Sequence, residues 1–489
     1  MHYIRLLRPP NVVRASPGQP ASLALVLTIT TDLGESFLCP DAPIDISVEL
    51  VVDIVETVQE EPEEPDAEDK NGKRADAVAD EDEDEDGEVP PKETVTTRIF
   101  ELPIAAPTVA SGGKGNKAGK QAKPSKTASN DSSLSWRAGK RVLKLEAKLP
   151  RAAEACLWDS NAAKRRICIR PADPSLSAVH SRQLVGTQRQ SGEGLILPLW
   201  VDVPATSDEP FDHVALRRLT FSSKDKDSDI GGYVEVEEEI GESIARHVWD
   251  AGLVAVALLA DTCLGNTPSR KRPREDDKEM ADTKIVSLPD ALRNTLLRQN
   301  KRRGLRVFEL GSGVGILGIG LAAIVHEADQ HKTASKIDTT QNTILLTDLP
   351  EAEERARANM ARSAQLSLDY ENLDWEDGRQ GQFGPAAKDA AWDMILLSDC
   401  TYNVDMLPAL VETLSALADM PSANRKKPGV LLARKPRHAS EEVLFTLMTE
   451  HGWAVHASST IPLPVLGNDA EVVEVYLYEK AQGGVHVVT

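Results

Sequence analysis

The spacing of hydrophobic positions along the first 200 or so residues is that of β-strands. Residues 21–31 and 44–54 alternate between apolar and polar side chains with a period of about two, as in strands with one buried face. The other segments of this kind are 94–104, 142–149 and 195–203. We therefore expect residues 1–205 to form a small β-rich N-terminal domain, either a sandwich or a sheet.

Two polar segments interrupt this region. Residues 56–93 include an unbroken acidic run at 81–86, and residues 111–133 are rich in Gly, Lys and Ser. Neither segment has enough apolar side chains to bury in a core. The sequence predicts that both are disordered, and that the acidic segment is the loop of a β-hairpin because strand patterns flank it.

The second part of the chain, residues 211–480, alternates between strand and helix patterns. Apolar runs typical of buried strands begin at Val307, Thr343, Trp392, Gly429 and Val472, and helical patterns lie between them. This alternation predicts an α/β fold in which helices cover both faces of a mostly parallel sheet.

Three further segments complete the prediction for this part. Residues 240–260 carry apolar side chains at helical spacing, which predicts an amphipathic helix. The polar stretches 262–299 and 327–342 are predicted to be insertions at the surface.

A glycine-rich turn joins the strand beginning at Val307 to the helix that follows it. Gly311, Gly313 and Gly315 lack a Cβ and tolerate positive φ, so this backbone can approach a ligand closely. The positive end of the next helix points to the same place, and the pattern predicts a nucleotide-like cofactor. Gly313-x-Gly315-x-x-Gly318 also fits a dinucleotide-binding turn, whereas no Lys-Ser or Lys-Thr pair follows to form a Walker-type phosphate loop.

Three of the predicted strands end in a carboxylate, at Glu309, Asp348 and Asp399. Parallel strands joined by right-handed crossovers present their carboxyl ends along one edge of the sheet. The three acids and the glycine turn therefore predict one ligand site. Asp348, after the second strand, is the candidate for a ribose because a carboxylate can accept hydrogen bonds from both hydroxyls.

Composition limits the partners and the compartment. The formal charge is −21 and the pI is about 5.0, which argues against nucleic acid as the main partner. Five cysteines without a C-x-x-C pair argue against a disulfide framework and against zinc, so no metal is expected. The beginning of the sequence has no signal-peptide pattern, and the longest apolar runs, of about ten residues, are too short for a bilayer.

These features favour a soluble protein, expected to be a monomer, in the cytoplasm, the nucleus or both. The basic cluster at 269–277 fits either a nuclear import signal or a solvated loop.

Several motifs of this sequence occur in the same order as those of a known protein family. The series consists of Val248-Trp249-Asp250-Ala251-Gly252, Phe308-Glu309-Leu310-Gly311-Ser312-Gly313-Val314-Gly315, Thr347-Asp348-Leu349-Pro350, Asn359, Leu373-Asp374-Trp375 and Asp399-Cys400-Thr401-Tyr402. It is similar to that of class I, seven-strand S-adenosylmethionine-dependent methyltransferases. The protein-lysine methyltransferases that include elongation-factor-modifying enzymes are the most similar group. The resemblance covers about half of the chain and implies a Rossmann-like domain.

The resemblance also implies roles for individual residues. Glu309, Gly311 and Gly313 would hold the methionyl part of the cofactor, and Asp348 would hold its ribose. Trp375 would lie beside the adenine, and Trp249 would line the cofactor pocket. The D-x-x-Y element, Asp399 and Tyr402, would accept the substrate amine at the edge of that pocket, and Asp399 would also contact the cofactor.

The leading hypothesis is methyl transfer to a lysine of a protein, such as a translation factor. Three alternatives remain at this point. The first is N-methylation of a small molecule such as a nicotinamide-like amine. The second is a nicotinamide-dependent oxidoreductase, and the third is a non-catalytic interaction protein.

Overall fold

The computed structural model describes residues 1–14, 20–58, 92–106, 134–185, 192–221, 232–241, 244–265, 287–297, 304–330, 342–389, 391–420, 427–466 and 471–481. Most of the acidic segment, the Gly/Lys/Ser-rich segment and the basic cluster at 269–277 lie outside these residues. Predictions for them stay predictions.

The N-terminal part consists of strands with two short helices. The strands are β1 (His2–Leu6), β2 (Asn11–Val13), β3 (Ser22–Thr30), β4 (Ile44–Val58), β5 (Lys92–Glu101), β6 (Ile104–Ala105), β7 (Ser135–Trp136), β8 (Leu143–Lys148), β9 (Ala162–Pro171), β10 (Ile196–Leu197), β11 (Leu199–Asp202), β12 (Val214–Thr220) and β13 (Tyr233–Glu239). The helices are α1 (Arg151–Leu157) and α2 (Ser181–Val185).

These strands form two sheets within the described residues. One has the order β10-β1-β3-β8-β6, with β2 added to β3, and the other has the order β13-β12-β11-β9-β4-β5, with β7 added to β4. Alternate leucines of β3 and alternate apolar residues of β4 belong to the same buried cluster, so the two sheets face each other. β4 and β5 pair antiparallel on either side of the acidic segment, which confirms the predicted hairpin.

The predicted boundary between residues 205 and 211 is wrong, because the N-terminal sheet continues beyond it. β12 pairs with β11 at Trp200 and Leu216, and β13 pairs with β12 along its whole length. β13 has the sequence YVEVEEE, whose many acids conceal its strand alternation. Arginines neutralise these acids, as Arg217 does for Glu238 at 2.6 Å.

The second part is an α/β domain. Its strands are β14 (Arg306–Leu310), β15 (Thr343–Asp348), β16 (Leu368–Asn372), β17 (Met394–Ser398), β18 (Gly429–Arg434), β19 (Trp453–Pro462) and β20 (Val472–Lys480). Its helices are α3 (Asp250–Leu264), α4 (Leu288–Leu296), α5 (Ile316–Gln330), α6 (Pro350–Arg362), α7 (Trp375–Gly378), α8 (Pro385–Lys388), α9 (Leu407–Asp419) and α10 (Val443–Glu450).

Its sheet has the strand order β16-β15-β14-β17-β18-β20-β19 among the described residues. All pairs are parallel except those of β20, which runs antiparallel to β18 and β19. The order reverses between β14 and β17, and open α/β sheets bind ligands at the carboxyl ends of the strands beside such a reversal. The predicted α/β fold is confirmed, and the position of its ligand site follows from the topology.

Two element predictions need correction. The helix expected at 240–260 begins only at Asp250, because β13 extends to Glu239 and a short 3₁₀ turn follows. The insertion expected at 262–299 contains α4, whose Leu288, Leu292 and Leu296 are buried at helical spacing. None of the helices in the described ranges is long and apolar enough to cross a membrane.

The two parts share one core across α3. This helix is buried along nearly its whole length, since α5 and the sheet cover one side and α2 of the N-terminal part covers another. Tyr3, Leu219 and Val236 of the β-rich part belong to the same buried cluster as Val256 of α3 and Ile319 of α5. The β-rich part therefore packs directly on the α/β domain, beside the start of α3.

Candidate active site

The glycine turn after β14 leaves room for two neighbouring side chains. Gly311 and Gly313 have φ of +64° and +54°, a region that costs residues with a Cβ extra energy. A Cβ added to Gly311 would lie 2.6 Å from Cys400 Sγ and 3.3 Å from Trp375 Cζ2. The predicted cofactor residue Trp375 is therefore brought to the turn, and Gly311 permits its close approach.

Glu309 lies beneath the turn rather than on its surface. Its side chain is 1% exposed, and its Oε2 accepts a hydrogen bond from the N–H of Gly318 at 2.9 Å. A Cβ on Gly318 would collide with this carboxylate, so packing against Glu309 explains the third glycine of the dinucleotide-like pattern. Burial raises the pKa of Glu309 to about 8, and the N–H of Gly318 opposes this shift.

Asp348, at the end of β15, faces the same turn. Its Oδ2 accepts from the N–H of Gly313 at 2.7 Å, and its Oδ1 accepts from the N–H of Leu349 at 2.7 Å. Burial raises the pKa of Asp348, and the two N–H donors oppose the shift. The carboxylate lies at the carboxyl end of the strand next to β14, where the sequence predicts it.

Asp399 follows β17 with φ of +51°, an uncommon conformation for a residue other than glycine. This backbone turns its carboxylate toward the start of α3, where Oδ2 accepts from the N–H of Ala251 at 2.8 Å. Burial raises the pKa of Asp399 to about 7. The positive charge of Arg437 opposes this shift, and the carboxylates of Asp32 and Asp250 add to it.

The D-x-x-Y element presents one buried and one exposed end. Cys400 is buried, and its thiol donates to the carbonyl of Ser398 with an S–O distance of 3.3 Å. Thr401 is fixed from below by a 2.7 Å hydrogen bond from its hydroxyl to Glu441 Oε2. Tyr402, three residues after Asp399, is 60% exposed, so its phenol is available at the surface.

Trp249 precedes α3 and joins the site through Arg437. The Arg437 guanidinium lies over the Trp249 ring, with its Cζ 5.3 Å from the ring centroid. Because Ala251, two residues later, donates to Asp399, the ring lies on the α3 side of the site. The structure thus brings all the predicted site residues to the carboxyl ends of β14, β15 and β17.

Asn359 of α6 fixes the glycine turn to the β-rich part. Its side-chain amide donates to the carbonyl of Val314 at 2.8 Å and to that of Glu237 at 3.1 Å, and its Oδ1 accepts from the N–H of Glu237 at 2.6 Å. The side chain is fully buried. This contact means that a strand of the N-terminal sheet supports the turn.

Sequence reasoning missed Asp32. This residue follows β3 in the N-terminal part, yet its carboxylate accepts from Arg437 Nη2 at 2.8 Å. Nothing in the spacing of the sequence indicates a contact between residues 405 positions apart. The basic segment at 434–438, which contains Arg437, fits either a contact with substrate or a solvated loop when only the sequence is considered.

Two buried polar atoms at the turn are available to a ligand. Glu309 Oε1 and Ser312 Oγ have no hydrogen-bond partner among the described residues. Buried polar atoms usually have partners, so these atoms fit the polar groups of an amino-acid moiety. Together with the ribose-type acid Asp348 and the aromatic ring of Trp375, they fit S-adenosylmethionine at this turn.

Comparisons with known proteins agree with this geometry. Residues 230–451 match a family model described as lysine methyltransferase. A UPF0665 family protein of Schizosaccharomyces pombe is 25% identical over 219 residues, which are 44% of this chain and 49% of that protein. The chain therefore spans about half the length of this curated relative.

Solved structures with similarity to the chain include several methyltransferases. A SAM-dependent methyltransferase from Methanosarcina mazei has 11% identity and a TM-score of 0.27, covering 40% of this chain and 99% of that one. An S-adenosylmethionine-dependent methyltransferase from Clostridium acetobutylicum has 10% identity and a TM-score of 0.25, covering 36% and 84%.

The family match and the motif order now give one assignment. The match begins at β13 and ends after α10, so it contains the glycine turn and all three carboxylate-tipped strands. In the part of the chain that the structure describes, the sheet has seven strands, as the resemblance to seven-strand methyltransferases implies. The α/β part of this chain, whose residues 230–451 match the lysine methyltransferase model, is a class I methyltransferase domain, and its cofactor is S-adenosylmethionine.

Proposed function

We propose that this protein transfers the methyl group of S-adenosylmethionine to the side-chain amine of a lysine in a protein substrate, with a translation factor as the first target to test. The observation that carries the proposal is the Asp399–Tyr402 pair. It lies at the carboxyl end of β17, directly beside the glycine turn that Cys400 contacts. A carboxylate and a phenol are suitable groups to hold an amine there.

The chemistry asks little of the protein beyond positioning. When bound, the cofactor would supply a methyl group on a sulfonium, and breaking of the S–CH3 bond would leave a neutral thioether. The amine must be neutral, because its lone pair forms the new N–C bond. Asp399 accepts a hydrogen bond from this amine and Tyr402 directs it, and the released proton passes to water.

The openness of the site supports a macromolecular substrate. The Tyr402 side chain is 60% exposed, while that of Asp399, three residues earlier in the chain, is only 9% exposed. A long, flexible lysine side chain can cross such an open rim and place its amine at Asp399.

A cavity of about 810 Å³ lies elsewhere in the molecule, between the N-terminal sheet and α5.

The test measures where a labelled methyl group goes. The protein is incubated with methyl-labelled S-adenosylmethionine and an extract from cells lacking it, and protein and small-molecule fractions are counted separately. We expect label in a protein band, on a lysine by mass spectrometry, with the wild type and far less with Asp399→Asn. Label confined to the small-molecule fraction would overturn the proposal in favour of a small amine substrate.

A further inference from the structure

Asp32 is a buried carboxylate that the N-terminal part extends into the methyltransferase domain. It follows β3 and is 3% exposed. Its Oδ2 accepts from Arg437 Nη2 at 2.8 Å, and its Oδ1 accepts from Arg437 Nη1 at 3.4 Å. Burial opposes ionisation of Asp32, but the hydrogen bond from Arg437 and the charge of Lys435 outweigh it and hold the pKa well below its usual range.

Arg437 links this carboxylate to the site. Its Nη2 lies 3.4 Å from Asp399 Oδ1, so one guanidinium group bridges Asp32 and Asp399. The Trp249 ring lies under the same guanidinium, and the backbone N–H of Arg437 donates to Glu441 Oε1 at 3.2 Å. The arginine is therefore fixed from three sides, with Asp32 as its closest charged partner.

Other charges surround this bridge. Lys435 Nζ lies 2.8 Å from Asp250 Oδ2 and 3.4 Å from Asp32 Oδ1. Its positive charge therefore offsets part of the negative charge of these two buried carboxylates. Asp250 also accepts from the Tyr3 hydroxyl at 2.6 Å. Arg437, Asp32 and Asp250 act on Asp399 directly, the Cys400 thiol follows it in the chain, and Lys435 contacts Asp250 and Asp32.

We propose that Asp32 and Arg437 are positioning residues of the amine site, so that the β-rich part completes the active site of the methyltransferase domain. This inference rests on the proposed function. Arg437 partly neutralises Asp399, and a cation beside the acceptor disfavours a protonated substrate amine. The site then selects the neutral amine that can attack, while Asp32 shares the guanidinium and limits how far it neutralises Asp399.

A purely structural clamp between the two parts would behave differently. Glu235 of β13 provides such a clamp, since it accepts from Arg166 at 2.8 and 3.0 Å and lies 3.2 Å from Arg362 of α6. It lines the cavity beside α5, and its charged partners are Arg166 and Arg362 rather than Arg437 or Asp399. Glu235→Gln is therefore the matched control for loss of a buried ion pair between the same two parts.

The experiment compares Asp32→Asn, Arg437→Gln and Glu235→Gln with the wild type. In each, kcat/KM for the methyl acceptor is measured against pH, and cofactor binding is measured by calorimetry. The wild-type profile is expected to break near pH 7, where Asp399 ionises. Arg437→Gln removes a positive charge beside Asp399 and should raise the pH of this break by about half to one unit. Asp32→Asn removes a negative charge and should lower the pH of the break by a similar amount.

The control should lower the unfolding midpoint without moving the break. Opposite shifts in Asp32→Asn and Arg437→Gln, with cofactor affinity within about twofold of wild type, support the proposal. Equal losses of activity with no shift in either variant would overturn it, because that is the behaviour of a structural clamp. Asp32→Glu is a second variant that retains the charge, and it should keep the break at the wild-type pH.

A measurement without turnover separates this inference from the proposed function. The Asp399 carboxyl resonance, assigned with Asp399→Asn in protein labelled with carbon-13 at aspartate Cγ, is titrated in each variant. Shifts in opposite directions with no methyl transfer to any lysine would leave the charge bridge standing and refute the proposed substrate. An unshifted Asp399 titration would refute the bridge even if lysine methylation were found.

Discussion

Gly311→Ala tests whether the glycine turn must remain free of side chains. The new Cβ would lie 2.6 Å from Cys400 Sγ and 3.3 Å from Trp375 Cζ2, both in the packed wall of the site. Overpacking of this kind costs about 1–3 kcal/mol. The φ of +64° adds about 1 kcal/mol for any residue with a Cβ. We therefore expect a loss of about 2–4 kcal/mol in the free energy of unfolding.

Gly381→Ala is the matched control, because Gly381 has φ of +74° and nothing within 4 Å of an added Cβ. It should lose only the backbone part, about 1 kcal/mol. Urea unfolding followed by tryptophan fluorescence gives both values, and calorimetry gives the cofactor affinity. Gly311→Ala should weaken cofactor binding more than about tenfold, since Trp375 must move, while Gly381→Ala should not.

A double variant sharpens this test. Cys400→Ala removes the sulfur that the new Cβ would meet, so Gly311→Ala should cost less in the Cys400→Ala background than in the wild type. Equal costs for Gly311→Ala and Gly381→Ala, with unchanged cofactor affinity, would refute the close packing around the turn.

Three further predictions concern the acids and the phenol. Asp348→Ala should weaken cofactor binding about tenfold to a hundredfold by calorimetry, because the carboxylate that accepts hydrogen bonds from the two ribose hydroxyls is lost. Unchanged affinity would contradict the assignment of Asp348 to the ribose. Tyr402→Phe should keep cofactor affinity and lower kcat for the methyl acceptor; equal kcat would exclude the phenol from the amine site. The pKa of Glu309 is raised to about 8 in the folded protein, which therefore holds a proton that the unfolded chain has lost above its usual pKa. The stability of the cofactor-free protein should thus fall between about pH 5 and 8, and Glu309→Gln should reduce this fall in urea midpoints; parallel pH profiles would refute the buried, protonated carboxyl.

The sequence predicts the methyltransferase domain well because its signals are local. A strand, a glycine turn and a helix follow each other at 306–330, and the carboxylates of Asp348 and Asp399 each follow a short apolar strand. Parallel strands bring such ends together, so local pattern and topology suffice to place the site.

The domain boundary and the contact between Asp32 and Arg437 could not be predicted from the sequence, for physical reasons. β13 carries so many glutamates that it does not look like a buried strand, and only arginines distant in sequence, such as Arg217 and Arg362, explain their burial. Asp32 meets Arg437 only because the β-rich part packs beside α3. Contacts of this kind depend on tertiary packing, which periodicity does not encode.

Asp399 and Tyr402 are proposed to hold a lysine amine beside S-adenosylmethionine at the glycine turn. The decisive experiment is tandem mass spectrometry of a methylated acceptor protein, produced by wild type and by Asp399→Asn at matched cofactor occupancy. We expect methyl groups on a lysine with the wild type and a loss of at least about a hundredfold in rate with the variant. Methylation at another residue type, or an equal rate in Asp399→Asn, would contradict this proposal.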